Sequence, residues 1–266
     1  LHRLDQYLER PQQRIGLSAT VSNPTELLAW FAPSGNRTVV GSASVSTEAD
    51  VTIDHVASLE NGATVISRLH RGEKRLVFCD SRSSAEQLSS MLRAKDMRTF
   101  VSHASLSVSE RRQAEAAFTE EKDCVIVATS TLELGIDVGD LDRVIQIDSP
   151  SSVSSFLQRM GRTGRRTGAL RNCLFLTTND DAFMLALGVT KKWSEAWVEA
   201  AVPPAEPWPI LAQQALVLVL ERGEVPTMEV VQLLHGSFPE LATDDITALV
   251  EHLVEKQFLD RSEGVV

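Results

Sequence analysis

The chain has 266 residues, room for about two domains that each bury a core, and its 43% hydrophobic and 23% charged residues are ordinary for a globular protein. The formal net charge is −10, and no uninterrupted apolar run approaches the ~20 residues that cross a bilayer. The start, Leu1-His2-Arg3-Leu4-Asp5, lacks Met and any signal-peptide pattern, so the chain reads as a fragment. Cys79, Cys124 and Cys173 are far apart and each lies in an apolar run. Reduced core thiols of a cytoplasmic protein fit that spacing better than metal ligands do.

In chain order, residues 1–41 read as the last helix and strand of a preceding α/β domain, too little to bury a core unaided. Ser22-Asn23-Pro24-Thr25-Glu26 is a helix start, with Pro at an early helical position. Residues 42–61 read as an interdomain linker, since Gly41–Asp54 is rich in Ser, Thr and Val. Over 62–202 short apolar runs alternate with amphipathic segments, the pattern of a parallel sheet covered by helices. Strands are predicted at Arg75–Cys79, Arg98–Ser102, Cys124–Ala128, Arg143–Ile147 and Asn172–Leu176. Helices are predicted at Ser83–Ala94, Ser107–Phe118, Ser152–Met160 and Asp181–Lys191, with Ser83 and Ser107 as N-caps. The loops between them should gather at the carboxyl ends of the strands, where open α/β sheets bind ligands.

Pro203, Pro204, Pro207 and Pro209 mark a second boundary. Beyond it, over 203–266, come three helical patterns, Ile210–Leu220, Thr227–Leu234 and Thr243–Lys256, and a strand at Phe258-Leu259-Asp260. Three short helices leading into a strand is the layout of a winged helix. Its charge opposes a phosphate-gripping role. Pro204–Val266 carries eleven acids against Arg222, Lys256 and Arg261, a net of −8. A phosphate-gripping helix should carry clustered Lys or Arg, so this module is expected to support by packing.

The chemistry concentrates at Gln158-Arg159-Met160-Gly161-Arg162-Thr163-Gly164-Arg165. Arg159, Arg162, Arg165, Arg166 and Arg171 fall between Ser149 and Asn179, where there is no Asp or Glu. Arginines three apart share a helical face and can converge on one anion, and the glycines allow close backbone approach. A guanidinium fork matches phosphate oxygens and stays charged.

This element resembles the last motif of the superfamily 2 helicases, and further matches lie upstream in the right order. They are Ser18-Ala19-Thr20, Leu76-Val77-Phe78-Cys79-Asp80-Ser81-Arg82, Ser102-His103-Ala104-Ser105-Leu106-Ser107 and Ala128-Thr129-Ser130-Thr131-Leu132-Glu133-Leu134-Gly135-Ile136-Asp137. Ile136-Asp137-Val138-Gly139-Asp140-Leu141-Asp142, Ser149-Pro150-Ser151-Ser152-Val153 and Pro209-Ile210-Leu211-Ala212-Gln213-Gln214 resemble the Lhr-type (large helicase-related) group most.

The resemblance implies an α/β fold: a RecA-like parallel sheet flanked by helices, then a small winged-helix domain. It implies ATP contacts at Gly135, Asp137, Gln158, Arg162 and Arg165, with Arg162 and Arg165 catalytic and Arg165 the arginine finger. Ser18, Ala19 and Thr20 would couple hydrolysis to strand movement through carboxylates of an amino-terminal RecA-like domain. Ser81, Arg82, His103, Ser105, Thr129 and Ser130 would hold the backbone of single-stranded DNA or RNA, or of an RNA–DNA hybrid, with 3′-to-5′ travel. Bland alternatives stand beside several of these: Ser81 as an N-cap, His103 as a structural histidine, Arg159 as the partner of an internal carboxylate. No phosphate loop of the G-x-x-x-x-G-K-[ST] kind and no Asp-Glu pair precedes Ser18. ATP and Mg2+ would therefore be held mainly by the preceding domain, and the segment by itself should not hydrolyse ATP. The rival reading is a non-catalytic helicase-like module that regulates a partner.

Overall fold

A computed structural model describes residues 2–5, 8–10, 12–18, 20–32, 35–41, 48–106, 109, 121–132, 141–166, 168–262 and 265–266. Two compact units emerge, one of Leu17–Ala201 and one of Leu1–Gly16 with Val202–Val266. The chain opens on one helical turn, α1 (His2–Asp5). The larger unit then runs α2 (Pro24–Phe31), β1 (Ala49–His55), α3 (Leu59–Arg68), β2 (Lys74–Phe78), α4 (Arg82–Arg93), β3 (Thr99–Ser102) and β4 (Cys124–Ala128). It continues through β5 (Arg143–Ile147), α5 (Val153–Met160), β6 (Arg171–Thr177) and α6 (Asp180–Ser194). The smaller unit joins α1 to α7 (Trp208–Arg222), α8 (Thr227–Ser237) and α9 (Thr243–Glu255).

The six strands form one sheet in the order β1-β6-β5-β2-β4-β3, and every neighbouring pair is parallel. β2 and β4 are buried along their whole length, as central strands covered on both faces must be. One face packs Leu76, Phe78, Ile126, Phe156, Phe175 and Trp193. The other packs Val77, Leu88, Leu92, Val125, Val127 and Ile145. Phe156 fixes α5 against the sheet, its ring 5.4 Å from that of Phe175 and 5.7 Å from that of Trp193. A fully buried ring of this kind contributes about 2–3 kcal/mol.

Three expectations are corrected by this fold. The stretch 42–61 is not a linker throughout: β1 is the edge strand beside β6, and α3 begins at Leu59. Val51 and Ile53 alternate with Asp50, Thr52 and Asp54, so one side of a single edge strand meets the core while the other faces water. The N-cap of α4 is Ser81 rather than Ser83, its Oγ accepting the Ser84 amide at 3.0 Å. No strand forms at Phe258–Asp260; the pairing there is a pair of isolated bridges, Pro226 to Val265 and Ser262 to Val265. Among the described residues no strand precedes Ala49. Of the helix expected at Ser107–Phe118 only Ser109 is among the described residues, and it is helical.

In the smaller unit, Leu211, Leu218, Val230, Leu234, Ile246, Val250 and Leu253 make the core shared by α7, α8 and α9. Cys79, Cys124 and Cys173 are all buried. Burial pushes the thiols of Cys79 and Cys173 up to about 12, which keeps them protonated and unreactive near neutral pH. No helix among the described residues is long and apolar enough to cross a membrane.

Candidate functional site

Three loops meet at the carboxyl edge of β2, β4 and β3. The Cys79 amide donates to the Ala128 carbonyl at 2.8 Å, and the Thr129 amide to the Ser102 carbonyl at 3.2 Å, so the ends of the three strands are tied together. Arg82 opens α4 and its Nη1 donates to Ser105 Oγ across the top of β4. Arg82, Ser105 and Ser130 are exposed and Thr129 half-buried. A guanidinium, several hydroxyls and a helix amino terminus therefore share one exposed edge, the arrangement that holds a phosphate chain. The Ser81 hydroxyl serves as the helix cap and also bonds Ser84 Oγ at 2.8 Å.

The His103 side chain is 8% exposed and its Nε2 lies 2.7 Å from Glu86 Oε1, while Nδ1 has no hydrogen-bond partner among the described residues.

The arginines sit at the opposite edge, which the expectation that all the motif loops gather at the carboxyl ends did not allow for. α5 starts at the carboxyl end of β5 and runs back, so residues 164–166 and 168–170 reach the amino ends of β5 and β6. Thr163 Oγ1 donates to the Asn172 carbonyl at 3.3 Å and accepts the Asn172 amide at 2.9 Å. Gly164 has φ +70°, and a Cβ there would lie 2.7 Å from the Arg171 amide nitrogen, so only glycine fits. Arg165 is exposed and lines a cleft of about 390 Å³ with Asp50, Glu73, Asp142 and Arg143. Arg166 donates to Asp142 at 2.8 Å, and Arg162 is buried.

The helix ends at Met160, so helical spacing does not carry Arg162 and Arg165 onto the face of Arg159. Arg159 instead points inward. Its Nη1 donates to Gln146 Oε1 at 2.6 Å and to Asp80 Oδ1 at 3.2 Å, and its guanidinium lies 5.1 Å from the Phe78 ring centre. It pairs with the half-exposed Asp80 of the same unit and with the buried Gln146.

The Ser18 and Thr20 segment meets α5 directly. Thr20 Oγ1 lies 3.2 Å from Ser154 Oγ and 3.3 Å from Gln158 Nε2. Ser18 Oγ accepts the Thr20 amide at 3.3 Å, which shapes the turn between them. Ala19, Gly135 and Asp137 lie outside the described residues. Two residues that sequence reasoning did not single out complete the setting. The Glu199 carboxylate accepts the Val153 and Ser154 amides at 2.7 and 3.0 Å, and the Asn23 side chain bonds the backbone of Ala201. Neither contact has a local signal, because the pairs are 46 and 178 residues apart.

The helicase conserved C-terminal domain family matches residues 56–167. With the six-stranded parallel sheet, this gives the RecA-like fold of a helicase C-terminal domain. The chain is 30% identical over 264 residues to the Lhr helicase/probable uracil glycosylase of Mycolicibacterium smegmatis, covering 82% of this chain and 18% of that protein. It is 28% identical over 273 residues to the Lhr helicase/uracil glycosylase of Escherichia coli, covering 81% of this chain and 18% of that one. The solved structure of Mycobacterium smegmatis helicase Lhr bound to ssDNA and AMP-PNP superposes with a TM-score of 0.82 at 28% identity, over 95% of this chain and 35% of that chain. The chain belongs to the Lhr-type group of superfamily 2 helicases, and it spans 18% of the length of these two curated relatives.

Proposed function

We propose that this chain is the carboxyl half of the motor core of an ATP-dependent nucleic-acid helicase or translocase. ATP would lie between an amino-terminal RecA-like domain of the same protein and the amino edge of the sheet described above. Arg165 would act as the arginine finger on the γ-phosphate, where a planar, permanently charged fork offsets charge that develops during transfer. Arg162, buried beside it, would reach the phosphate with the tip of its side chain or hold Arg165 in place. Arg82, Ser105, Thr129 and Ser130 would hold the backbone of one strand at the carboxyl edge.

The observation that carries this reading is the bonding of Thr20 to Ser154 and Gln158. It ties the segment resembling a coupling motif to the helix whose end delivers Arg162 and Arg165. A change at the nucleotide can then reach the sheet through one helix. The relative solved with ssDNA and AMP-PNP supports both ligands. Mg2+ would be held with the phosphates by the preceding domain, since these residues include neither a phosphate loop nor an Asp-Glu pair ahead of Ser18. Hybrid substrates, 3′-to-5′ travel and a cytoplasmic location rest on the resemblance and the cysteine usage.

The test is ATP hydrolysis by the whole protein, with and without single strands, together with displacement of a labelled strand from a partial duplex. Strand-stimulated hydrolysis that drives displacement is expected. A whole protein that binds single strands but neither hydrolyses ATP nor displaces would favour the non-catalytic module.

A further inference from the structure

Asn23 precedes α2 at the position where Asn ordinarily caps a helix by accepting an orphan amide. It makes no such bond. Its side chain reaches Ala201, 178 residues away, with Nδ2 donating to the Ala201 carbonyl at 3.1 Å and Oδ1 accepting the Ala201 amide at 2.9 Å. A capping residue is thereby used on a two-bonded tertiary contact.

The short segment Val198–Ala201 carries a second anchor. α5 has no acid in its first turn, in keeping with the acid-free stretch around the arginines. Its amino terminus still receives a carboxylate: Glu199 accepts the Val153 and Ser154 amides, two of the donors that no helix can satisfy internally. Ser154 is also the residue whose hydroxyl meets Thr20. Val198 is buried in the core with Trp193 and Leu157, so the segment is held at both flanks of Glu199.

We infer that Asn23 and Glu199 are positioning residues that make Val198–Ala201 a clamp, holding the Ser18–Asn23 coupling segment in register with the arginine-bearing helix. The inference rests on the motor reading above. It assigns the clamp no contact with ATP or nucleic acid. Its task is to keep Thr20 within bonding distance of Ser154 and Gln158 while the nucleotide site changes. Losing it should separate hydrolysis from strand movement more than it slows hydrolysis itself.

Two measurements test this. In the 266-residue chain, amide exchange at Val153, Ser154 and Ala201 is followed in Asn23→Ala and in Glu199→Gln, which keeps the shape but turns a donor toward the helix amides. Each variant should raise exchange at all three amides, because both anchors hold one segment. In the whole protein, strands displaced per ATP hydrolysed should fall about fivefold or more in either variant, the lower end of ordinary coupling between sites, with ATP affinity unchanged. Deprotection confined to the mutated residue's own partner would overturn the clamp. So would hydrolysis and displacement that fall in proportion, or an unchanged ratio. A wild-type protein that fails to displace strands would instead sink the motor reading, and the exchange measurement would still decide the clamp.

Discussion

The two edges of the sheet use the same side chains for different ends. At the carboxyl edge, Arg82 bonds an exposed serine hydroxyl, and the nearby ionisable histidine is turned inward onto Glu86. At the amino edge, acids and arginines alternate around an open cleft, with Arg166 on Asp142 and Arg143 2.9 Å from Glu73. Among the described residues named there, the first edge offers hydroxyl donors and the Arg82 guanidinium. The second sets Arg143, Arg165 and Arg166 beside Asp50, Glu73 and Asp142. Between them lies α5, whose Arg159 is committed to Asp80 and Gln146. Residue type alone does not separate the committed Arg159 from the exposed Arg165; burial and bonding partners do.

That contrast can be broken at either edge. The largest effect is expected for Arg165→Lys in the whole protein. Lysine keeps the charge and loses the fork, so single-turnover hydrolysis should fall about a thousandfold while ATP affinity is largely spared. A rate within about threefold of wild type would make Arg165 structural, since a finger carries far more than that. Arg159→Met should do the reverse. The Gln146 amide oxygen would lose its 2.6 Å donor in a place that is 1% exposed, costing about 1–3 kcal/mol in a denaturant titration of the 266-residue chain. Unchanged stability would contradict its internal role.

A smaller effect is expected at the carboxyl edge. Arg82→Ala should weaken single-strand binding evenly across sequences and lower the salt slope by about one phosphate. A sequence-dependent loss would point to base contact instead. The smallest concerns the acidic unit. Deleting Pro204–Val266 should lower stability or strand displacement yet leave the salt slope nearly unchanged, because three basic residues among eleven acids neutralise few phosphates. A slope flatter by about two or more would show that this unit grips the backbone.

Much of this was legible in the chain. The uniform burial of β2 and β4 makes continuous apolar runs that read as strands, and the acid-free arginine stretch stands out from an otherwise acidic chain. β1 was missed because an edge strand buries one side only, and its Asp50, Thr52 and Asp54 resemble a linker. Ser83 was mistaken for the cap of α4 because a hydroxyl two residues earlier has the same preference and sits at the true boundary. Arginines three apart suggested one anion, but spacing does not say where a helix stops. His103, Asn23 and Glu199 take their roles from partners far along the chain, which no local pattern encodes.

The most direct measurement is ATP turnover by the purified 266-residue chain, alone and with saturating single strands. In the proposed division of labour this chain supplies the arginines and the strand path, and a preceding domain supplies the phosphate loop and magnesium carboxylates. It predicts no release of phosphate above a no-protein control under either condition. Turnover that follows the chain through purification and is stimulated by single strands would contradict that division of labour.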